Sequence, residues 1–160
     1  MTANQDSSLI DGFFGEYRFL SNFWPCVIQY DGRSWPSVEH AYQSAKSHDH
    51  EYKTRIMQAA TPGDAKRLSR QVQLVHNWLK IRVTVMSYLV RVKFLTYKDL
   101  GDRLLETGSA ELIEGNYWHD DFWGMIKNSS GEWEGRNHLG RMLMQVRAEL
   151  SEIRRGPIAQ

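Results

Sequence analysis

Apolar and polar positions along this 160-residue chain change period several times. Ile10 to Phe14 and Cys26 to Tyr30 have strand-like composition. Asp31-Gly32, with Ser34-Trp35 returning, is a turn signal, so the pattern predicts a small hairpin near the N-terminal end. After Pro36 the period becomes helical. Ser37 is placed to cap a helix running to about Ser47, and Glu39 suits its first turn, where the helix dipole is positive. Further helical segments cover Glu51 to Ala60 and restart at Thr61-Pro62-Gly63-Asp64, a cap followed by proline at the first helical position. The segment Trp78 to Tyr97 is apolar on more than one stripe, which predicts a central, well-buried helix. A short helix, Leu100 to Thr107, is stopped by Gly108, and Leu112 to Glu114 has the composition of a short strand. Asn116 to Gly135 is aperiodic and reads as one long loop, followed by an amphipathic helix from Asn137 to Ile153. The predicted class is α+β: one predominantly helical domain over residues 10–153 with a small N-terminal hairpin or sheet, and flexible ends at residues 1–9 and 154–160.

Composition narrows the function classes. Apolar residues make up 41% and charged residues 24%, as in ordinary globular domains and unlike disordered chains or coiled coils. Twenty basic against nineteen acidic residues leave a net charge of +1, too little for a broad grip on DNA or an acidic membrane. Cys26 is the only cysteine, so an intrachain disulfide and paired-cysteine metal sites are excluded. Met1 to Ser8 lacks the basic start and apolar core of a signal peptide. The most apolar stretch, near Val83 to Leu95, is interrupted by Arg91 and Lys93 and is too short to span a bilayer. The expectation is a cytoplasmic protein without a membrane partner. The outlier is aromatic content, 12% with six tryptophans. Trp118, Trp123 and Trp133 fall in the long loop, which is then either a binding surface or an ordered loop packing its rings inward.

Several polar groups could carry chemistry. Glu39, Gln43 and Lys46, spaced by four and three, share one helical face bordering the apolar face of Val38, Ala41, Tyr42 and Ala45. That face is either an exposed surface with an ordinary Glu–Lys contact or the wall of a cleft for a polar small molecule. Gly135-Arg136-Asn137-His138-Leu139-Gly140 opens the last helix. Its unpaired backbone N–H groups, reinforced by Arg136, suit a phosphate, and Asn137 alone suits simple capping. His119-Asp120-Asp121 reads as an acidic turn rather than a metal site, and Cys26 as a structural thiol. No phosphate loop or dinucleotide fingerprint occurs.

Three segments together resemble the NADAR, or YbiA-like, family. They are Phe19-Leu-Ser-Asn-Phe23; Trp35-Pro-Ser-Val-Glu39-His-Ala-Tyr-Gln43-Ser-Ala-Lys46; and the run from Leu112 through Trp118-His-Asp-Asp121-Phe-Trp123-Gly124 to Gly135-Arg-Asn137-His-Leu-Gly140. The chain departs at Ser47, where many members carry Phe. The resemblance implies the YbiA-like fold and hydrolysis of an N-glycosidic bond at ribose C1, with no cofactor and no metal. It implies two substrate classes. The preferred one is ADP-ribose linked to the amino group of guanine in nucleic acid, with an ADP-ribosyltransferase toxin as counterpart. The alternative is the ribose-phosphate of early aminopyrimidine intermediates of riboflavin synthesis. A third reading is a non-catalytic ADP-ribose reader. On this resemblance the catalytic residues are Lys46, Glu39 and Asp121. Trp35 and Trp123 would stack on a base. Asn22, Gln43, Asn116 and Asn137 would hold ribose hydroxyls, and Arg136 a phosphate. Phe23, Trp118, Gly124 and Gly140 complete the ligand-binding set. Lys46 poses a conflict. Only about one free lysine in 2,500 is neutral at pH 7, so a nucleophilic role needs a depressed pKa, and Glu39 would raise it.

Overall fold

A hairpin and four helices make up one of two compact units in the computed structural model, which describes residues 8–156. In chain order the elements are β1 (Leu9–Ile10), a 3-10 helix (Gly15–Leu20), β2 (Ile28–Tyr30), β3 (Arg33–Trp35), α1 (Val38–Ser44), α2 (His50–Gln58) and α3 (Pro62–Leu68). A second 3-10 turn (Ser69–Gln71) leads to α4 (Trp78–Thr96), α5 (Lys98–Glu106), β4 (Glu111–Leu112), β5 (Ile126–Lys127), β6 (Trp133–Glu134) and α6 (His138–Arg155). The first unit is Ser21–Thr96. The second joins the chain before it to Tyr97 and beyond. Among the described residues no helix is long and apolar enough to cross a membrane.

In the Ser21–Thr96 unit, β2 and β3 pair antiparallel with Ile28 opposite Trp35 and Tyr30 opposite Arg33. Asp31 and Gly32 both have positive φ, the geometry a two-residue hairpin turn of this twist requires. Asp31 also meets Lys53 of α2 at 2.5 Å, and this bond holds its carboxyl below the usual carboxylate range. Ser37 caps α1 by accepting from the His40 N–H, and Thr61 caps α3 in the same way through Asp64, with Pro62 at the first position. All seven residues of α1 are buried. The helix ends at Ser44, earlier than predicted, because the N–H groups of Ala45 and Lys46 turn back to the Tyr42 and Gln43 carbonyls, respectively. Lys46 therefore sits in the closing turn. The central helix also differs from expectation. In its second half α4 buries one stripe, Met86, Leu89, Val90, Lys93 and Phe94, while Leu79 is 71% exposed and Tyr88 half-exposed. The off-stripe apolar residues reach the surface, so this helix is buried on one face rather than all round. Its buried lysine, Lys93, donates to the Ser21 carbonyl at 2.9 Å.

In the other unit, β1 pairs in parallel with β4, Leu9 against Glu111 and Ile10 against Leu112, and not with a hairpin. The predicted strand stops at Ile10 because Gly15, at φ 54°, starts a 3-10 helix. Arg103 of α5 stacks on Phe19, 4.0 Å from its ring centroid, and donates to the Glu16 carbonyl. Arg147 of α6 bonds Thr107 Oγ1 and the Ala110 carbonyl, pinning the turn between α5 and β4. The aperiodic stretch contains a second hairpin. β5 and β6 pair with Lys127 opposite Trp133, and Asn128 Oδ1 accepts the N–H groups of Ser130 and Glu132 across the turn. Of the ends expected to be flexible, residues 1–7 and 157–160 lie outside the described residues. Leu9 belongs to β1, and Arg154 and Arg155 belong to α6.

His40, 1% exposed, ties α1 to the end of α2. Its Nε2 lies 3.1 Å from the Ala59 carbonyl and its Nδ1 lies 2.8 Å from Ser37 Oγ. A carbonyl only accepts, so Nε2 carries the proton and Nδ1 accepts from the Ser37 hydroxyl. Burial is the largest influence on the ring and lowers its pKa, against Ala59 and Asp64, which raise it. The unfolded chain therefore binds a proton here at a pH where the native ring does not. Stability from this site is complete above about pH 6.5 and declines as pH falls towards the native value. Urea titrations of the wild type should show that decline as pH falls below about 6.5. His40→Gln should flatten the slope, and an unchanged slope would refute the assignment.

Candidate active site

The polar face of α1 is internal. Glu39 and Gln43 are both buried, Gln43 to 2% exposure, and Gln43 Nε2 donates to Glu39 Oε1 at 2.6 Å. The amide cannot be turned round, since its oxygen would then face a carboxylate. Gln43 Oε1 accepts no hydrogen bond from the described protein. The Glu39 N–H donates to the Asn22 carbonyl, and Asn22 Nδ2 lies 3.3 Å from Met86 Sδ. Asn22 is thus a support for the start of α1. Phe23, beside it, is partly exposed, and its N–H donates to Ser21 Oγ.

Lys46 Nζ donates to Ser69 Oγ at 3.2 Å, and Ser69, itself buried, donates its hydroxyl proton to the Lys66 carbonyl at 2.8 Å. The Lys46 carbonyl accepts from the Val75 N–H, so both ends of the residue are fixed by the segment after α3. Burial is the main influence on its amine and lowers the pKa. Glu39 raises it, while Lys66 and Arg82 lower it further. The net direction is down. Glu39 raises the pKa, as its spacing predicts, but desolvation and two nearby cations outweigh one carboxylate. Ser69, Lys66 and Arg82 carried no signal in the sequence. They lie 20 to 36 positions from Lys46 and meet it only through the packing of α3 and α4 on α1.

Trp35 does not stack on a ligand. It is 0% exposed, and its Nε1 donates to the Tyr30 carbonyl at 2.9 Å, so both faces belong to the core.

The remaining expected site residues surround the start of α6, in the other unit. Asn116 Nδ2 donates to the Asp120 carbonyl at 2.7 Å and to the Met125 carbonyl at 3.2 Å, and its Oδ1 accepts from the Asp120 N–H. Asn137, at φ 49°, donates to the Leu112 carbonyl and accepts from the Glu114 N–H. Both side chains are buried and shape the loop rather than hold ribose hydroxyls. Asn137 does not cap α6 through its side chain either. Gly124 and Gly140 are required for close approach. A Cβ at Gly124 would collide with the Glu114 carbonyl, and one at Gly140 with the Leu112 carbonyl. The phosphate cradle expected at this helix start is filled. The N–H groups of Arg136, Asn137, His138 and Leu139 donate to the carbonyls of Asp121, Gly124, Phe122 and Trp123. The Arg136 guanidinium lies 5.5 Å from the Phe122 ring centroid. Asp121 is exposed, and the fold uses its carbonyl. Trp123 packs edge-on against Phe122, and Trp118 edge-on against Tyr117, which is 85% exposed. Among the described residues no three His, Cys, Asp or Glu side chains gather as a metal-ligand set.

Comparison with known proteins places the chain. The model of the NADAR domain matches residues 12–151, a stretch that runs through both units. The chain is 46% identical over 136 residues to a riboflavin biosynthesis protein of Vibrio vulnificus, covering 84% of this chain and 36% of that one. It thus spans about a third of that relative. It is 35% identical over 138 residues to N-glycosidase YbiA of Escherichia coli, covering 85% of this chain and 83% of YbiA. An N-glycosidase of Nostoc punctiforme is 39% identical over 142 residues. The NMR structure of E. coli YbiA superposes with a TM-score of 0.77 at 29% identity, over 99% of this chain and 96% of that one. The chain belongs to the NADAR domain family, and its mostly helical fold with small sheets is that of YbiA.

Replacing Asn137 by alanine removes two buried bridges and leaves a non-glycine residue at positive φ. The expected loss is about 2–4 kcal/mol in urea unfolding, and a loss below about 1 kcal/mol would contradict the role given to this side chain.

Proposed function

We propose that the chain hydrolyses an N-glycosidic bond between ribose C1 and an amine, with Lys46 as nucleophile and Glu39 as proton carrier. The observation that carries this reading is the Lys46 amine. It is half-buried, shifted towards its neutral form, and held on one side by a hydroxyl whose own proton is committed to the Lys66 carbonyl. Ser69 can then only accept from Nζ, so the lone pair of the neutral amine faces elsewhere.

The sequence of bonds is as follows. Glu39 takes a proton from the Lys46 ammonium and gives it to the ring oxygen as the ribose opens, and C1 becomes an iminium with the substrate nitrogen. Lys46 Nζ bonds to C1, and a proton passes from Nζ to that nitrogen. The C1–N bond then breaks and the amine leaves. Water hydrolyses the lysine imine to the sugar aldehyde and restores Lys46 and Glu39. One water is consumed, with no redox change. Gln43, bonded to Glu39, orients the carboxylate.

For the substrate, the aminopyrimidine bearing ribose-phosphate becomes the first reading. Trp35, expected to stack on a base, lies in the core and adds no stacking area for a larger ligand. The relative with 46% identity is named for riboflavin biosynthesis. ADP-ribosyl guanine in nucleic acid, with a transferase toxin upstream, is the second reading.

Borohydride added during turnover should reduce the imine and leave a sugar adduct on Lys46. Lys46→Ala should lower kcat by at least about a thousandfold, and near-normal turnover would exclude the nucleophile. The rate should rise with pH through a lysine pKa below its ordinary value. Glu39→Gln should slow turnover by about a hundredfold or more, and an unchanged rate and pH profile would remove it from proton transfer.

A further inference from the structure

In the unit that contains α6, a cavity of about 480 Å³ opens beside the β5–β6 hairpin. Both its size and its mostly apolar lining are ordinary for a small-molecule site. Phe14, Tyr117 and Trp133 line it. Phe14 is 59% exposed and Tyr117 85%, so the fold covers neither ring. Large rings left open around one concavity mark a surface that something else covers. Two of the rings back onto bare main chain. A Cβ at Gly12 would collide with the Phe14 ring, and one at Gly115 with the Trp133 ring. The rim is equally fixed. The Asn116 side chain accepts from the Asp120 N–H and donates to the Asp120 carbonyl, which closes residues 117–119 into a turn and holds His119 at φ 65°. A non-glycine residue adopts that conformation at a cost, and such costs gather at binding sites. The cavity is therefore formed before a ligand arrives.

Its polar groups define the occupant. The Lys127 ammonium lies 4.9 Å from the Trp133 ring centroid, and among the described residues no carboxylate pairs with it. An ammonium satisfied only by a π face is open to a phosphate oxygen. Asp11 and His119 also line the cavity. A carboxylate accepts from N–H groups on the edge of a base, and an imidazole serves either a base or an anion. A planar ring to stack, a polar edge and an anionic substituent together describe a nucleotide.

We propose that this cavity binds a nucleoside monophosphate unit, with its base stacked on Trp133 and its phosphate on Lys127. In the free protein the Lys127 ammonium covers the indole. It passes to the phosphate when the base takes its place, and rotation about side-chain bonds is enough for the exchange. The shared chemistry is a base with a 5′-phosphate, present in a free mononucleotide and in each residue of a single strand. The site lies within one unit and does not depend on the reading of Lys46.

NMR titrations with guanosine 5′-monophosphate (GMP), guanosine and a single-stranded trinucleotide test the site without turnover. GMP should shift the Gly115 and Lys127 amides and the Trp133 indole N–H. Guanosine should bind at least about fivefold more weakly, having no phosphate for Lys127. Lys127 is exposed, so Lys127→Gln should fold, and it should bring GMP close to the affinity of guanosine. Trp133→Ala should weaken both ligands by about five- to a hundredfold, and Trp133→Phe should recover most of that loss. A trinucleotide that binds more tightly than GMP assigns the site to a strand, and one that binds more weakly assigns it to a free nucleotide. Both results support the site. Shifts confined to residues around Lys46 would overturn the proposal. So would equal affinity for GMP and guanosine, or a Lys127→Gln variant that binds GMP as the wild type does. Borohydride trapping reads Lys46 alone, so its failure would leave these results untouched.

Discussion

The interior placement of α1 is the constraint from which the Ser21–Thr96 unit follows. This helix buries a carboxylate, an imidazole, an amide and a hydroxyl along with its apolar residues. A buried polar group left without a partner costs on the order of 1–3 kcal/mol, so each demands a fixed neighbour. Ser44 donates to the Ala41 carbonyl, Gln43 to Glu39, and His40 bridges Ser37 to Ala59. Tyr52 of α2 donates to the Gln43 carbonyl. These bonds reach α2 and the segments on both sides of it. The helix can occupy one position only, and the lysine that follows it inherits that precision.

What could be read in the sequence was local. Asp31-Gly32 predicts its hairpin because two residues of left-handed conformation are needed in sequence. Thr61-Pro62 predicts a helix start because capping and the proline restriction act within one turn. The spacing of Glu39 and Gln43 places them together correctly. The failures share a cause of a different kind. Which face of a three-residue strand is buried depends on what packs there, so Trp35 looks equally suited to a ligand and to the core. The donors at the start of α6 look available because their acceptors, Asp121 to Gly124, approach only in the folded loop. The state of Lys46 depends on cations supplied by other helices.

Bulk composition concealed two local facts. A net charge of +1 is compatible with two cations, Lys66 and Arg82, acting on one amine, because most of the compensating acids lie elsewhere. The aromatic excess divides between purposes. Trp35 and Trp78 are core residues, Trp133 sits in a hairpin strand under the Lys127 ammonium, and Trp118 reaches solvent.

The four backbone bonds from Arg136 to Leu139 have a mechanical consequence. Helix starts usually leave such donors to water, and a loop beside them can swing away at little cost. Here detaching the 121–124 segment would break all four bonds and strip the first turn of α6, at roughly 1 kcal/mol per bond. The segment and the helix must therefore move as one body. It behaves as a wall rather than a gate, and the Arg136 to Leu139 amides it covers should exchange with solvent as slowly as those inside the helix.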